Sequence, residues 1–234
     1  MDFCPPLRRG VLLRRYKRFL ADVATEDGER MTIHCANTGA MSGCADAGSP
    51  VWYSRSSNPT RKYAHTLELV ETLCGQLVGV HPGRANSVVA EALSTGRIEA
   101  LRGMVIHREV QIPGERGRFD FRLDGDDGVS CFVEVKSVTW AREPGFGAFP
   151  DAHSARARRH VEMLRRVRGE GHRAMLLFCV QHMGVERVTT ASDIDPDYAA
   201  EVRLAHQLGV EVVAYRTLIT PDLLLLADAL PVIL

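Results

Sequence analysis

GRFDFRLDGDDGVSCFVEVKS, residues 117–137, is the stretch whose reading decides the fold. Phe119, Phe121 and Leu123 alternate with Arg118, Asp120 and Arg122, and Phe132, Val133 and Val135 surround Glu134 and Lys136. Both halves carry the period of two that marks strands, and the Asp-Gly and Asp-Asp-Gly steps between them mark a turn. Closing the hairpin symmetrically about Asp127 sets position 120 opposite position 134, and the pleat puts Lys136 on the face of Glu134. Asp120, Glu134 and Lys136 then converge. Two carboxylates across a strand pair repel, so this register asks for a compensating cation, either a bound metal or the Lys136 ammonium. Magnesium suits it, being a hard cation held by one or two carboxylates together with phosphate oxygens and water.

Asp followed by Glu-x-Lys resembles the motif of the PD-(D/E)xK nuclease superfamily, which implies Asp120 and Glu134 as metal ligands and Lys136 as the group that positions attacking water. Phe119 stands where that motif has Pro. The same residues also read as the polar face of an amphipathic strand. One count favours the chemical reading: of 29 basic residues only Lys17, Lys62 and Lys136 are Lys, the rest being Arg. A chain that uses Arg almost everywhere keeps Lys where a compact ammonium does what a planar guanidinium cannot.

The composition, 45% hydrophobic and 25% charged over 234 residues, is that of a folded chain of one or two domains. The longest apolar stretch, LLLLADALPVIL, is interrupted by Asp228 and too short to span a bilayer, and no apolar segment follows MDFCPPLRRG. A cytoplasmic protein is expected. Six scattered cysteines without a C-x-x-C pair indicate reduced thiols rather than a zinc site or disulfide framework. The net charge is zero but uneven: residues 1–62 carry ten bases against six acids, residues 155–173 seven against two, and residues 191–234 two against seven. Two basic regions suit a polyanion such as nucleic acid, or a solvated face.

Residues 1–81 read as an OB-fold domain: five short strands with irregular turns, drawn from Leu7–Val23, Met31–Cys35, Val51–Ser54 and the segment TLELVETLCGQLVGVH. RRYKRF interleaves bases with aromatic residues, as a surface that tracks a backbone and stacks bases would, and marks Arg14, Tyr16, Lys17 and Arg18, with Lys62, as nucleic-acid contacts. Pro82 then starts a helix whose stripe is Ala85, Val88, Val89, Ala92 and Leu93. A strand over Met104–Ile112, the hairpin, a Pro/Gly loop EPGFGAFPDAHS, an Arg-rich helix from about Ala155, a buried strand Ala174–Val180, a helix Asp195–Leu208, a strand Val210–Tyr215 and a last apolar helix or turn Thr220–Ala229 complete the chain. This order makes residues 82–234 a restriction-endonuclease-like α/β domain, with the motif on its second and third strands, and the whole a two-domain α/β protein.

The chain as a whole resembles the sugar fermentation stimulation protein A family, through FCPPL, RYKRFLADV, CANTGAMSGC, VWYS, RKYAHT, RFDF, EVKSVT and FPDAHSARARRH. The resemblance implies an OB-fold joined to a PD-(D/E)xK nuclease-like domain, DNA as partner, and a link by name to sugar, particularly maltose, metabolism. It carries the site onto Asp120, Glu134 and Lys136, with Glu109 as a further metal ligand and Asp151, Arg156 and His160 as neighbours. Ala157 stands where relatives commonly have Gly. Asn37 and Thr38 look like barrel motif residues, and Asn-Thr-Gly is also good turn chemistry. Three readings are open: a magnesium- or manganese-dependent DNA nuclease with Arg156 and Arg159 on backbone phosphates, a DNA-binding accessory regulator with an idle site, and an RNA-processing nuclease.

Overall fold

The computed structural model describes residues 1–112 and 117–234. Strands β1 (Arg8–Tyr16), β2 (Leu20–Thr25), β3 (Arg30–Cys35), β4 (Pro50–Arg55), β5 (His65–Glu71) and β6 (Leu77–Gly79) form one sheet in the order β3-β2-β1-β4-β5-β6. A parallel pairing of β3 with β5 closes the first five into a barrel, the OB-fold. Alternation explains its interior: Leu12, Val23, Ile33, Val51 and Leu67 point inward and are buried.

Beyond the barrel comes helix α1 (Pro82–Ser94), begun by Pro82 and buried through the stripe Ala85, Val88, Val89, Ala92 and Leu93. Strands β7 (Val105–Gln111), β8 (Arg118–Asp124) and β9 (Ser130–Val138) follow, then β10 (Trp140–Glu143), β11 (Gly145–Phe149) and α2 (Ala155–Gly169). Next are β12 (Arg173–Val180), β13 (Val185–Thr190), α3 (Pro196–Gln207), β14 (Glu211–Ile219), β15 (Leu224–Leu230) and β16 (Val232–Ile233). The main sheet runs β15-β14-β12-β9-β8-β7, with β12 at its centre and parallel to both neighbours. β12 is apolar on both faces for that reason: Met175, Leu177 and Cys179 pack with α1, whereas Ala174, Leu176, Phe178 and Val180 pack with α2 and α3. This is the mixed α/β, restriction-endonuclease-like core.

Three expectations are corrected. Leu7–Val23 is not one strand but β1 and β2, folded back on each other through a turn in which Lys17 and Arg18 take left-handed φ. Thr220–Ala229 is a turn only as far as residue 223, where Thr220 Oγ1 accepts from Asp222 and Leu223 N–H, and from Leu224 it is β15 (Leu224–Leu230), paired antiparallel with β14. An unbroken apolar run has no period to distinguish strand from helix. The stretch EPGFGAFPDAHS is not simply a loop, since it contains β11, which with β10, β13 and β16 builds a second sheet. Its glycines serve close packing: a Cβ at Gly147 would stand 2.7 Å from Val185 Cγ1.

The barrel and the core meet through backbone as well as side chains. β6 is bonded to the stretch after β12, Gly79 N–H donating to Gln181 O at 2.9 Å and Met183 N–H to Leu77 O at 3.0 Å. The N-terminal residues also reach the core, with Phe3 buried in it and the Met1 ammonium 2.5 Å from Glu91. All six cysteines are free thiols. Among the described residues, no helix is long and apolar enough to cross a membrane.

Candidate active site

The β8–β9 hairpin has the register read from its turn: Phe121 pairs with Val133, Arg122 with Phe132 and Asp124 with Ser130, so position 120 falls opposite position 134. Asp120 Oδ2 accepts a hydrogen bond from Val135 N–H at 2.7 Å, and Oδ1 accepts one from Asn86 Nδ2 of α1 at 2.6 Å. Glu134, 3% exposed, places Oε1 against both Lys136 Nζ, at 2.6 Å, and His160 Nδ1. Its other oxygen, Oε2, is buried without a hydrogen-bond partner among the described residues.

His160 is delivered by α2. Ser154 Oγ caps that helix by accepting from Ala157 N–H at 3.1 Å, and buried Asp195 accepts from both Ser154 N–H and Tyr198 N–H, tying together the starts of α2 and α3. Ala157, His160, Val161 and Leu164 then lie on the buried stripe, which sets the imidazole over β9.

The two carboxylates are shifted in opposite directions. Burial, reinforced by the Glu134 charge, pushes Asp120 up to about 6. Glu134 is equally desolvated, yet the His160 hydrogen bond and the Lys136 charge keep it below the ordinary glutamate value. A pair of acids driven apart in this way, one of them with an unpaired buried oxygen, offers the oxygen donors that a hard cation takes.

Asp120, Glu134 and Lys136 line a cavity of about 670 Å³ together with Glu109, Asp151, Arg156 and His160. Glu109 sits on β7 between the pairs Arg108–Phe121 and Val110–Phe119, hence opposite Asp120, with a left-handed φ of 51°. Among the described residues no three His, Cys, Asp or Glu groups are gathered closely enough to hold an ion by themselves. A cation here would draw on two carboxylates and complete its shell from water and substrate oxygens, as magnesium does. The residues present fit it.

The barrel supplies one wall. Asn37 and Gly39 line the cavity, and Met41 N–H donates to Asp151 Oδ2 at 3.1 Å. Gly39 packs so closely that a Cβ there would stand 2.6 Å from Asp151 Oδ2. Asn37 does turn chemistry, its Oδ1 accepting from Gly39 N–H at 2.8 Å. Arg15 holds the loop: its guanidinium donates to the carbonyls of Arg18, Asn37, Gly39 and Ala40. Sequence reading missed Arg15, Gly39 and Asn86. Asn86 carried a signal, being a polar residue one turn after the helix start at Pro82, next to the stripe.

The remaining predicted contacts are dispersed. Arg156 and Arg159 border an adjoining recess of about 370 Å³. Arg14 is paired with Asp22 at 2.7 Å and lies over the Tyr16 ring, away from the carboxylates. Lys17 and Arg18 form the exposed β1–β2 turn, and Lys62 lies over Tyr63.

A closed five-strand OB barrel joined to a restriction-endonuclease-like core, with Asp and Glu-x-Lys at the cavity between them, defines a class of two-part α/β proteins. A family model described as the sugar fermentation stimulation protein RE domain matches residues 83–223, and one described as the SfsA N-terminal OB domain matches residues 13–80. The chain belongs to the sugar fermentation stimulation protein family. A sugar fermentation stimulation protein homolog of Shewanella sp. (strain MR-4) is 49% identical over 233 residues, 99% of each chain, and that of Shewanella loihica is 47% identical over the same length. Among solved structures, Pyrococcus furiosus SfsA in complex with Ca2+ superposes with a TM-score of 0.89 at 23% identity, covering 100% of this chain and 98% of that one.

Proposed function

We propose that the chain is a DNA-binding, divalent-metal-dependent phosphodiester hydrolase whose chemistry lies at Asp120, Glu134 and Lys136, with magnesium or manganese as the metal. One observation carries this reading: Glu134 Oε2 is buried and unpaired among the described residues, beside a second carboxylate, in a cavity that also holds the half-buried Lys136. A structural acid would have both oxygens satisfied. Pyrococcus furiosus SfsA in its complex with Ca2+ agrees with a hard-cation site.

Asp120 and Glu134 would hold the metal, with Glu109 reaching it through water. When bound, the metal supplies Lewis-acid stabilisation of charge on a phosphoryl group. His160 fixes the rotamer of Glu134 by engaging Oε1. Lys136 Nζ orients the attacking water and offsets negative charge that develops on the phosphoryl oxygens. Arg156 and Arg159 bind flanking backbone phosphates without reading bases, so cleavage is not sequence-specific. Free thiols and a DNA partner suit a cytoplasmic location.

The test is cleavage of plasmid and oligonucleotide DNA with magnesium or manganese, lost on Lys136→Ala while the melting temperature holds. Equal cleavage by both proteins would mark a contaminant and defeat the proposal. Running an RNA strand in the same assay decides between the nucleic acids. A second reading, a DNA-binding accessory regulator with an idle site, draws on the separate basic turn at Lys17 and Arg18, which needs no turnover to bind DNA. It requires wild-type protein that binds DNA and never cuts it. Any influence on sugar or maltose metabolism would run through that binding.

A further inference from the structure

Helix α1 stands between two cavities. Pro82 and Asn86 line the candidate active site, whereas His81 and Arg84 line a separate recess of about 320 Å³ that the nuclease reading does not use. The floor of this recess is β5, where Thr66 and Glu68 share a face. Glu68 is fully accounted for: Oε1 accepts from Ser54 Oγ and Arg84 Nη2, each at 2.7 Å, and Oε2 accepts from Arg84 Nε at 2.9 Å. Its charge is neutralised in place.

Other groups are left over. Thr66 is 4% exposed, yet its Oγ1 has no partner, and His81 Nδ1 is buried and likewise unpaired among the described residues. Buried hydroxyls almost always find a partner, so an orphan facing a cavity is a group open to whatever enters it. Arg55 and Arg61 also line the recess, and among the described residues neither has an acidic partner. With Glu68 taken by Arg84, these two arginines face a single remaining acid, Asp2. Burial, followed by the nearby Arg61 charge, holds His34 low, and burial with Arg8 and Arg55 does the same to His65.

We infer that this recess is a phosphate-binding site, with Arg55 and Arg61 supplying charge and Thr66 Oγ1 and the His81 ring supplying hydrogen bonds. A tetrahedral oxyanion can take donors from several directions at once, as this arrangement offers them. The phosphate is carried either by a nucleic-acid strand or by a free nucleotide or inorganic phosphate.

The test is titration of the full chain, in EDTA, with inorganic phosphate, a mononucleotide and a short single-stranded DNA, followed by calorimetry. EDTA removes divalent metal, so the outcome is independent of any nuclease activity. Saturable phosphate binding is expected, weakened about tenfold or more in Arg55→Gln/Arg61→Gln. Both arginines are exposed, so the fold tolerates the change, and Thr66→Val serves as a second variant with a smaller loss. A loss shared by phosphate and DNA identifies backbone phosphate as the ligand, and a loss confined to phosphate and mononucleotide identifies the free form. No saturable phosphate binding by the wild type, or equal affinity in the wild type and both variants, overturns the inference.

Discussion

Glu68 and Glu134 are both glutamates on buried strand faces, 2% and 3% exposed, and they are partnered in opposite ways. Arg84 grips Glu68 with two parallel hydrogen bonds, one to each oxygen, and Ser54 adds a third. Glu134 has Lys136 and His160 crowded onto one oxygen and nothing on the other. The first joins barrel to core, and its chemistry is complete. The second keeps a lone pair in reserve next to Asp120. Burial alone does not tell these two glutamates apart, whereas the satisfaction of each oxygen does, and under the proposed function that difference is what makes one structural and the other reactive.

The contrast breaks most visibly through Glu134→Gln. Under the proposed function, cleavage should fall about 1000-fold, because the ligand charge is removed while the shape is kept. Relief of repulsion with Asp120 offsets the lost Lys136 pair, so thermal melting should move little. A Glu134→Gln protein that cuts at the wild-type rate would erase the distinction. Glu68→Gln should do the reverse, costing about 3 kcal/mol by stranding Arg84, or roughly 10 °C in melting temperature for a chain of this size. Its cleavage well below the melting point should stay within about twofold, and a selective loss of turnover would show Glu68 to be more than a joint.

A third test sharpens the pairing with Asp120. Its native value, about 6, lies above the unfolded 3.8, so the native state binds the proton more tightly. That contribution to stability is complete below pH about 4 and lost as pH rises through 6. In EDTA, Asp120→Asn should therefore gain on wild type between pH 4 and 7.5, by on the order of 2 kcal/mol. Parallel melting curves across that range would contradict the shift. The smallest effect belongs to the barrel turn. Lys17→Asn/Arg18→Asn keeps residues that tolerate positive φ and should lower DNA affinity about tenfold, flattening the salt dependence by about 2 in log–log slope. The melting temperature should not change. Unaltered affinity would move DNA binding away from this turn, toward Arg156 and Arg159.

The hairpin register was legible because two local signals agreed, a period of two and an Asp-Gly turn centred on Asp127. The α1 stripe was legible because its helical spacing agreed with a Pro start, whereas the turn that splits Leu7–Val23 into β1 and β2 was not, since Lys17 and Arg18 carry no Gly, Asn or Asp to mark their left-handed backbone. β15 was not, since LLLL satisfies a strand and a helix equally, and β11 was hidden by the glycines that let it pack against Val138 and Val185. The wall of the site was beyond local reading: Met41 and Asp151 are 110 residues apart in sequence and joined by one hydrogen bond. Glu68 carries no signal in its apolar strand, because its partner Arg84 lies in another structural unit. Pairing across a seam has no periodicity.

The backbone bonds that fasten β6 to Gln181 and Met183 bear on how a polymer could reach the carboxylates. Two bodies stitched strand to strand do not swing apart like a jaw, since opening would break main-chain bonds on both sides of His182. The barrel wall and the core wall of the cavity are therefore tied to each other by main chain, and under the proposed function a nucleic-acid strand would enter between two walls that do not part at this seam.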